Sequence, residues 1–398
     1  MNDYPERVFL VAYDEIGLKG KNKHIFIQKM IHNISEITGI NNSYIRHSRG
    51  RIYILLQDHH NAGAISNVLS EIFGIKWFAL ADVLPLDFDT LKRKSVERAQ
   101  QHGTDGKQTF KVEARRGNKD FYLTSPQINN QLGETIRVNS ELEVDIHHPE
   151  VTFYVEVRKE RIFLHTEHHN GPGGLPTGSN GKVLCLISGG IDSPVAAWYM
   201  MKRGLAVDYV YFHSPPYTGE KVKEKVRSLT RQLQKWNVEP VRLFIPYFTT
   251  VQEEMAEQVS NELWTVVQRR YMHRVANKIA HEHGYQAVVT GDSLGQVASQ
   301  TMSNLNLIDA ASDKIILRPL IGLDKQEIIE RARLIGTFDI SIQPFEDCCV
   351  LFAPKNPSTN TKAYEIEAGE EAMDSDRLIG EALGKMESET VTYELQGI

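Results

Sequence analysis

Beyond residue 181, short apolar runs alternate with longer stretches in which apolar residues recur at the spacing of a helix. A short apolar run is typical of a strand buried on both faces, and a longer periodic stretch is typical of an amphipathic helix. The predicted strands are residues 182–187, 206–212, 241–245 and 286–290, and the long predicted helices are residues 220–236 and 261–283. This alternation predicts a parallel, doubly wound α/β sheet with its ligand beyond the carboxyl ends of the strands.

The part before residue 169 has shorter elements, and its strands and helices form two small α/β groups. The predicted strands are residues 8–13, 51–56, 109–112, 151–157 and 161–165, and the predicted helices are residues 22–38, 62–73, 89–102 and 126–139. Ser125 is the expected N-cap of the last helix, with Pro126 as its first residue. A cluster of glycine, proline, serine and asparagine at 169–181 is typical of a linker.

Composition is that of an ordinary globular protein, with 41% hydrophobic and 24% charged residues in a chain of 398. No run approaches the roughly 20 apolar residues of a membrane span, and the N-terminus lacks the apolar core of a signal peptide. Three cysteines cannot form a disulfide framework. We therefore expect a cytoplasmic protein that does not contact a membrane.

The net charge of −6 is concentrated at the C-terminal end. Residues 361–398 contain ten acidic and three basic residues, so the rest of the chain has a net charge of +1. Local basic clusters in that part can still bind phosphates. The acidic end itself is predicted to be a solvated helix or a frayed terminus rather than a binding element.

The most specific motif is Ser188-Gly189-Gly190-Ile191-Asp192-Ser193, which lies between a predicted strand and a predicted helix with Pro194 in its first turn. Glycines let a backbone approach a ligand closely, and the N–H groups of a helix N-terminus attract anions. The loop is therefore predicted to hold a pyrophosphate. It is not a Walker A loop, because that motif needs a lysine followed by Ser or Thr where this chain has Asp192.

Basic residues are grouped with aromatic ones at three places in the N-terminal half, namely residues 19–23, 46–51 and 110–121. Lysine and arginine bind RNA phosphates, and aromatic side chains stack on unpaired bases. The candidates for RNA contact are Lys19, Lys21, Lys111, Arg115, Arg116 and Lys119. For any single cluster, a solvated charged face is the alternative interpretation.

The cysteines lack the spacing of a metal site made of protein ligands alone, and none is predicted. Cys185 belongs to a buried strand, where it is expected to pack as a small apolar residue. Cys348 and Cys349 follow Glu346 and Asp347, whose charges would oppose formation of a thiolate unless a basic or helix-terminal group offsets them. From chemistry alone, both a sulfur-carrying and an inert role stay open for the adjacent pair.

Taken together, these motifs resemble the tRNA 4-thiouridine synthetases, also called tRNA sulfurtransferases or the thiamine-biosynthesis thiolation family. The stretches that carry the resemblance are residues 15–22, 188–193, 212–216, 291–300, 318–325 and 346–349. The resemblance implies a ferredoxin-like domain at 1–75, a THUMP RNA-binding domain at 76–168, a linker at 169–181 and a Rossmann-like PP-loop ATP pyrophosphatase domain at 182–398. It also implies ATP and Mg²⁺ as cofactors.

The resemblance assigns roles to individual residues of this chain. Asp192 would orient Mg²⁺, Lys325 would stabilise negative charge on the transferring α-phosphate, and Cys348 would transfer the sulfur. Cys349 is less essential in this comparison. The remaining nucleotide-contact positions would be Leu186, Ile187, Ser188, Gly189, Gly190, Ser193, Tyr211, Phe212, Arg269, Gly291 and Gln300, with Tyr211 and Phe212 in the adenine pocket.

The implied reaction is adenylation of C4 of the uridine at position eight of tRNA, followed by attack of a persulfide sulfur on that carbon. Many members of this family carry a rhodanese-like domain that receives sulfur, and we expect none in this chain. We therefore expect a separate cysteine desulfurase to load Cys348 and an external thiol reductant to complete turnover. The resemblance also allows a homodimer and a role in thiamine thiazole synthesis. Another PP-loop tRNA-modifying enzyme and a non-catalytic tRNA-binding protein are the alternatives.

Overall fold

The computed structural model describes residues 4–13, 15–345, 352 and 354–392. Contacts divide the chain into two compact units, one up to Gly174 and one from Leu175 onward. Within the described residues, no helix is both long and apolar enough to cross a membrane.

The first unit is built on one mixed sheet in the order β2-β3-β1-β4-β8-β7-β5-β6, with β9 also paired to β4. Its strands are β1 Arg7–Tyr13, β2 Ile45–Ser48, β3 Arg51–Leu55, β4 Ile75–Leu84, β5 Thr109–Arg116, β6 Glu143–Val144, β7 Val151–Val157, β8 Ile162–His165 and β9 His169–Asn170. Strand β4 pairs with β1 along most of its length and with β8 at its end. It thereby joins the two α/β groups that the sequence predicts into one sheet.

Four α-helices accompany this sheet in the described residues: α1 Lys23–Thr38, α2 Ala62–Leu69, α3 Phe88–Thr104 and α4 Ser125–Asn139. The predicted N-cap of α4 is wrong by one residue. Thr124 is the N-cap and forms a capping box with Gln127, while the Ser125 hydroxyl accepts a hydrogen bond from the Arg116 N–H. Either hydroxyl could cap by propensity, and the partner at Gln127 favours Thr124.

The second unit contains the predicted parallel sheet, in the order β14-β13-β10-β11-β12-β15. Its strands are β10 Lys182–Leu186, β11 Ala206–Val210, β12 Val241–Ile245, β13 Ala287–Val289, β14 Ile315–Leu317 and β15 Glu387–Val391. Its helices are α5 Asp192–Lys202, α6 Glu220–Gln234, α7 Thr249–Gln258, α8 Trp264–His283, α9 Met302–Asp309, α10 Lys325–Leu334, α11 Phe338–Ser341, α12 Ala363–Glu371 and α13 Ser375–Gly384.

The order of the strands fixes where a ligand can bind. From β10 the chain adds β11 and β12 on one side, and it then crosses to add β13 and β14 on the other. The carboxyl end of β10 is therefore the switch point at which doubly wound sheets hold their ligands. The glycine loop begins there.

The sequence predicts that the acidic end is a solvated helix or a frayed terminus. That prediction is wrong for residues 387–391, which form a strand of the sheet. Strand β15 pairs antiparallel with β12, and two of its acids meet basic residues of α6. Glu387 accepts a hydrogen bond from Lys223 at 2.6 Å, and Glu389 accepts one from Arg227 at 2.8 Å. The negative charge of this segment is therefore part of the fold.

Candidate functional site

The glycine loop is held in shape by two serine hydroxyls. The Ser188 N–H donates to Ser193 Oγ at 2.9 Å, and the Gly190 N–H donates to Ser188 Oγ at 3.3 Å. Gly291, after β13, packs against the start of α5, since a Cβ there would lie 2.7 Å from Ser193 N. Gly291 thus has a packing role, because only a residue without a side chain allows this approach.

Asp192 is the first residue of α5 and pairs with Lys325, the first residue of α10. Lys325 Nζ lies 2.6 Å from Asp192 Oδ1, and Gln296 Nε2 donates to Asp192 Oδ2 at 2.9 Å. The side chains remain partly accessible, with 22% of Asp192 and 44% of Lys325 exposed. An anion at the loop can therefore reach both a cation and the helix N-terminus.

The N-terminus of α10 is fixed by a capping box. Asp324 accepts a hydrogen bond from the Glu327 N–H, and Glu327 accepts one from the Asp324 N–H, both at 2.9 Å. A lysine in the first turn opposes the helix dipole, so Lys325 is unfavourable there for the helix alone. Its pairing with Asp192 offsets that effect and directs the ammonium group toward the loop.

A second carboxylate, Asp292, follows the neighbouring strand β13, is buried and accepts four hydrogen bonds. Its Oδ1 accepts from Arg269 and, at 3.2 Å, from Gln300. Its Oδ2 accepts from the Thr290 hydroxyl at 2.8 Å and from Arg318 Nε at 3.1 Å. Asp292 therefore fixes Arg269 and Gln300, two of the predicted nucleotide-contact residues.

The electrostatics of this cluster follow from burial and charge. Burial acts to raise the pKa of Asp292, but Arg269, Arg318 and the Thr290 hydroxyl hold it well below its usual range. His273 on α8 is fully buried, and burial together with Arg269 lowers its pKa to about 3. Asp292 is thus charged and His273 neutral near neutral pH.

The residues predicted to line the nucleotide pocket follow β10 and β11. The Ile187 N–H donates to Val210 O at 3.0 Å, and the Tyr211 N–H donates to Phe244 O at 2.8 Å. Ile187, Tyr211 and Phe212 are almost fully buried, and Phe212 belongs to the core of the unit. The side chains of these three residues are therefore not open to a ligand, and Leu186 lies at the partly exposed edge.

The predicted RNA-contact residues of β5 and its following loop differ in their surroundings. Arg115 is 68% exposed and lies 3.2 Å from Glu113, which is also 3.9 Å from Lys111. Arg116 instead donates from Nη1 to the backbone oxygens of Phe121, at 3.0 Å, and of Lys119, at 3.4 Å. Arg115 is available to a ligand, whereas Arg116 supports its own loop.

The other basic candidates lie at the start of the chain. Lys19 Nζ stands 4.9 Å from the centre of the Phe26 ring, and Lys21 is exposed in a short 3₁₀ turn at Gly20–Asn22. Both can contact a polyanion without losing a buried partner. Their RNA contact stays a prediction.

Cys185 is fully buried, and burial raises the pKa of its thiol well above the usual range, as expected of a packed, unreactive residue. Cys348 and Cys349 lie outside the described residues. Among the residues that are described, no three histidine, cysteine or acidic side chains are grouped as a metal site would require.

The fold and the site define a class of protein. A glycine loop without a Walker lysine stands at the switch point of a parallel sheet, with an aspartate and a lysine beside it. This arrangement is that of a PP-loop nucleotide-binding unit, here linked to an N-terminal α/β unit with its own sheet.

Comparisons with known proteins assign the family. The thiamine biosynthesis protein (ThiI) family matches residues 178–375, the ThiI ferredoxin-like domain matches residues 8–79, and the THUMP domain matches residues 86–167. A probable tRNA sulfurtransferase of Coxiella burnetii is 44% identical over 96% of this chain and 98% of its own. One of Halothermothrix orenii is 41% identical over the same shares. The chain belongs to the tRNA sulfurtransferase family.

Solved structures agree with this assignment. A 4-thiouridine synthetase, in a crystal structure of its RNA complex with bound ATP, matches 98% of this chain and 100% of its own. The TM-score is 0.90 and the sequence identity is 39%. The predicted resemblance and fold class are thereby confirmed, while the predicted site residues and domain boundaries stay predictions.

Sequence reasoning missed Gln296, Asp292 and Arg318. All three lie in stretches that carry the family resemblance, residues 291–300 and 318–325. Their roles depend on contacts between distant parts of the chain, such as Gln296 with Asp192. The motifs could have indicated these residues, but only the fold pairs them.

Proposed function

We propose that this enzyme is an ATP-dependent tRNA sulfurtransferase that converts the uridine at position eight to 4-thiouridine. The observation that carries the proposal is the Asp192–Lys325 pair beside the glycine loop, at 2.6 Å. Family membership and the match to a 4-thiouridine synthetase bound to RNA and ATP support it. ATP and tRNA are therefore the substrates proposed for this chain.

In the first step, the uridine O4 attacks the α-phosphorus of ATP, and pyrophosphate leaves. The N–H groups of the glycine loop and the N-terminus of α5 hold the leaving pyrophosphate. Lys325 stabilises the charge that develops on the α-phosphate. Arg269 and Gln300, fixed by Asp292, bind the nucleotide.

Asp192 fits a role in holding Mg²⁺. Mg²⁺ at nucleotide sites is bound through one or two carboxylates together with substrate phosphates. Asp192 is one partly exposed carboxylate next to the glycine loop, and its partners there are the side chains of Lys325 and Gln296. The ion would spread the charge of the departing pyrophosphate.

In the second step, the terminal sulfur of a persulfide on Cys348 attacks C4 of the adenylated uridine, and AMP leaves. The transferred sulfur is then still bonded to the Cys348 sulfur. An external thiol reduces this disulfide and is itself oxidised. The reduction releases 4-thiouridine. A cysteine desulfurase supplies the sulfane sulfur that regenerates the persulfide.

The tRNA binds through the unit that ends at Gly174, which contains the THUMP domain. The domain boundaries 1–75, 76–168 and 182–398, the homodimer and the cytoplasmic location remain part of the proposal. A role in thiamine thiazole synthesis also remains a prediction.

The test is to incubate the purified chain with unmodified tRNA, Mg²⁺-ATP, a cysteine desulfurase, cysteine and dithiothreitol. Mass spectrometry of nucleosides and of RNase fragments then names both the product and its position. We expect 4-thiouridine at position eight, formed at least about 100-fold more slowly by an Asp192→Asn variant. Sulfur at another position would indicate a different PP-loop thiolase, and ATP-independent binding without product would indicate a non-catalytic RNA-binding protein.

A further inference from the structure

The chain that leads to Cys348 is tied to the glycine loop and to α6. Helix α11 ends at Ser341, whose hydroxyl donates to Gly190 O at 3.2 Å. Lys225 Nζ then donates to Gln343 O at 3.0 Å and to Phe345 O at 3.3 Å. The described chain before Cys348 is therefore attached to the glycine loop at Ser341 and to α6 at Gln343 and Phe345.

The chain beyond Cys348 is also attached, through residues 358–361, to Thr301 and Asn304, which follow the predicted nucleotide contact Gln300. The buried Asn304 on α9 donates to Ser358 O at 2.8 Å and accepts from the Thr361 N–H at 3.2 Å. The Thr301 hydroxyl, directly after Gln300, donates to Thr359 O at 2.8 Å. Both flanks of the sulfur-bearing segment thus end on elements that border the adenylation site.

Lys225 is an unusual residue for such a fastening. It is only 5% exposed, and burial of an ammonium group is unfavourable unless its hydrogen bonds are satisfied. An apolar side chain could fill the same space on α6 without that requirement. A buried ammonium group that binds two carbonyl oxygens can hold in place a backbone segment that has no regular secondary structure, as here at residues 342–345.

We propose that Lys225 is a positioning residue for sulfur transfer: by binding Gln343 O and Phe345 O it holds the approach to Cys348 beside the glycine loop. This inference rests on the proposed role of Cys348. Both of these hydrogen bonds go to the chain before Cys348, and neither goes to the groups around Asp192 or Asp292. Lys225 should therefore affect the second step and spare the first.

Lys223 provides a matched control. It lies two residues earlier on the same helix, is 4% exposed, and donates to Glu387 on β15 at 2.6 Å. Replacing either lysine removes a buried ammonium group from α6. Of these two lysines, Lys225 is the one that donates to the described chain before Cys348, so a difference between the two variants reports on that contact.

The experiment compares Lys225→Met, Lys225→Arg and Lys223→Met in the full chain. tRNA-dependent release of pyrophosphate from ATP, with sulfur omitted, measures adenylation, and 4-thiouridine formation measures the whole reaction. For Lys225→Met we expect near-normal adenylation with thiolation about 100-fold slower, the effect of misplacing a reacting group by about 1 Å. Lys225→Arg should recover part of this loss, and Lys223→Met should leave the ratio of the two rates unchanged.

Equal loss of both steps in Lys225→Met, or a ratio that also falls in Lys223→Met, would overturn the proposal, and so would unimpaired thiolation. If Lys225→Met does not fold, Lys225→Gln is measured in the same way and judged by the same ratio. A Cys348→Ser variant separates the two hypotheses. If it still thiolates tRNA, the proposed role of Cys348 is wrong, whatever the Lys225 variants show.

Discussion

Asp192 and Asp292 follow neighbouring strands of one sheet, yet their surroundings differ. Asp192 is partly exposed and holds a lysine and a glutamine that border the loop. Asp292 is buried and accepts hydrogen bonds from two arginines, a threonine and a glutamine. The first carboxylate can exchange its partners when a substrate arrives, because water and ligand reach it. The second cannot, and it serves by keeping Arg269 and Gln300 in place.

The largest effect on catalysis is expected from Asp192→Asn. This variant keeps the shape of the side chain but loses the charge that serves Mg²⁺ and Lys325. Adenylation should fall by about 100-fold or more, as when a group that stabilises the transition state is removed. tRNA-dependent pyrophosphate release measures the effect, while tRNA affinity and the melting temperature should change little, since a partly exposed ion pair contributes little to stability. Near-normal pyrophosphate release would refute the role of Asp192.

Asp292→Asn should instead act on the fold. It leaves Arg269 and Arg318, which are 17% and 12% exposed, without their shared carboxylate. Breaking a buried pair on one side typically lowers the free energy of unfolding by about 3–5 kcal/mol. The measurement is the urea midpoint of the second unit, followed by the fluorescence of its tryptophans.

Asp309→Asn is the control for this prediction. Asp309 also pairs with Arg318, but its side chain is 45% exposed, so its loss should lower stability by no more than about 1 kcal/mol. If Asp309→Asn and Asp292→Asn are equally destabilised, burial of the network around Asp292 does not explain the loss of stability in Asp292→Asn.

The pH dependence of stability should test the same structural role of Asp292. The pKa of Asp292 is depressed in the folded protein, so its contribution is complete above its ordinary pKa of 3.8 and is lost as the pH falls through the lower, folded value. The stability difference between the wild type and Asp292→Asn should therefore shrink on acidification from about pH 5 to about pH 2. Urea unfolding at several pH values tests this. A difference that stays constant over the range would contradict the prediction.

Much of the fold could be predicted because its causes are local. The strands β10 and β12 are apolar except for Lys182 and Arg242, and most of their apolar residues are buried. The glycine loop was recognisable because its function needs particular residues in a fixed order between a strand and a helix. In both cases the information lies within a few residues of the chain.

Other features depend on distant partners and could not be predicted in this way. Strand β15 has the sequence Glu387-Ser-Glu-Thr-Val, which is not typical of a buried strand. Its two glutamates accept hydrogen bonds from Lys223 and Arg227 of α6, and these contacts stabilise the strand. Likewise, nothing near Asp292 in the sequence indicates that Arg318 would reach it. Phe212 has the residue type of an adenine-stacking side chain, but the core of the unit encloses it. Long-range packing decides all of these.

The smallest effect is expected in the unit that ends at Gly174. There Arg115 is exposed, whereas Arg116 is hydrogen-bonded to the backbone, a contrast like that between Asp192 and Asp292. Arg115 is exposed, so Arg115→Ala should reduce the slope of log affinity for tRNA against log salt concentration by about one. Arg116 is committed to the backbone oxygens of Phe121 and Lys119, so Arg116→Ala should lower the melting temperature and change the salt slope less. Filter binding at several salt concentrations with two different tRNAs measures the slopes. Because phosphate contacts carry no sequence information, both tRNAs should respond alike to Arg115→Ala. An unchanged slope for Arg115→Ala would mean that its side chain is only part of a solvated surface.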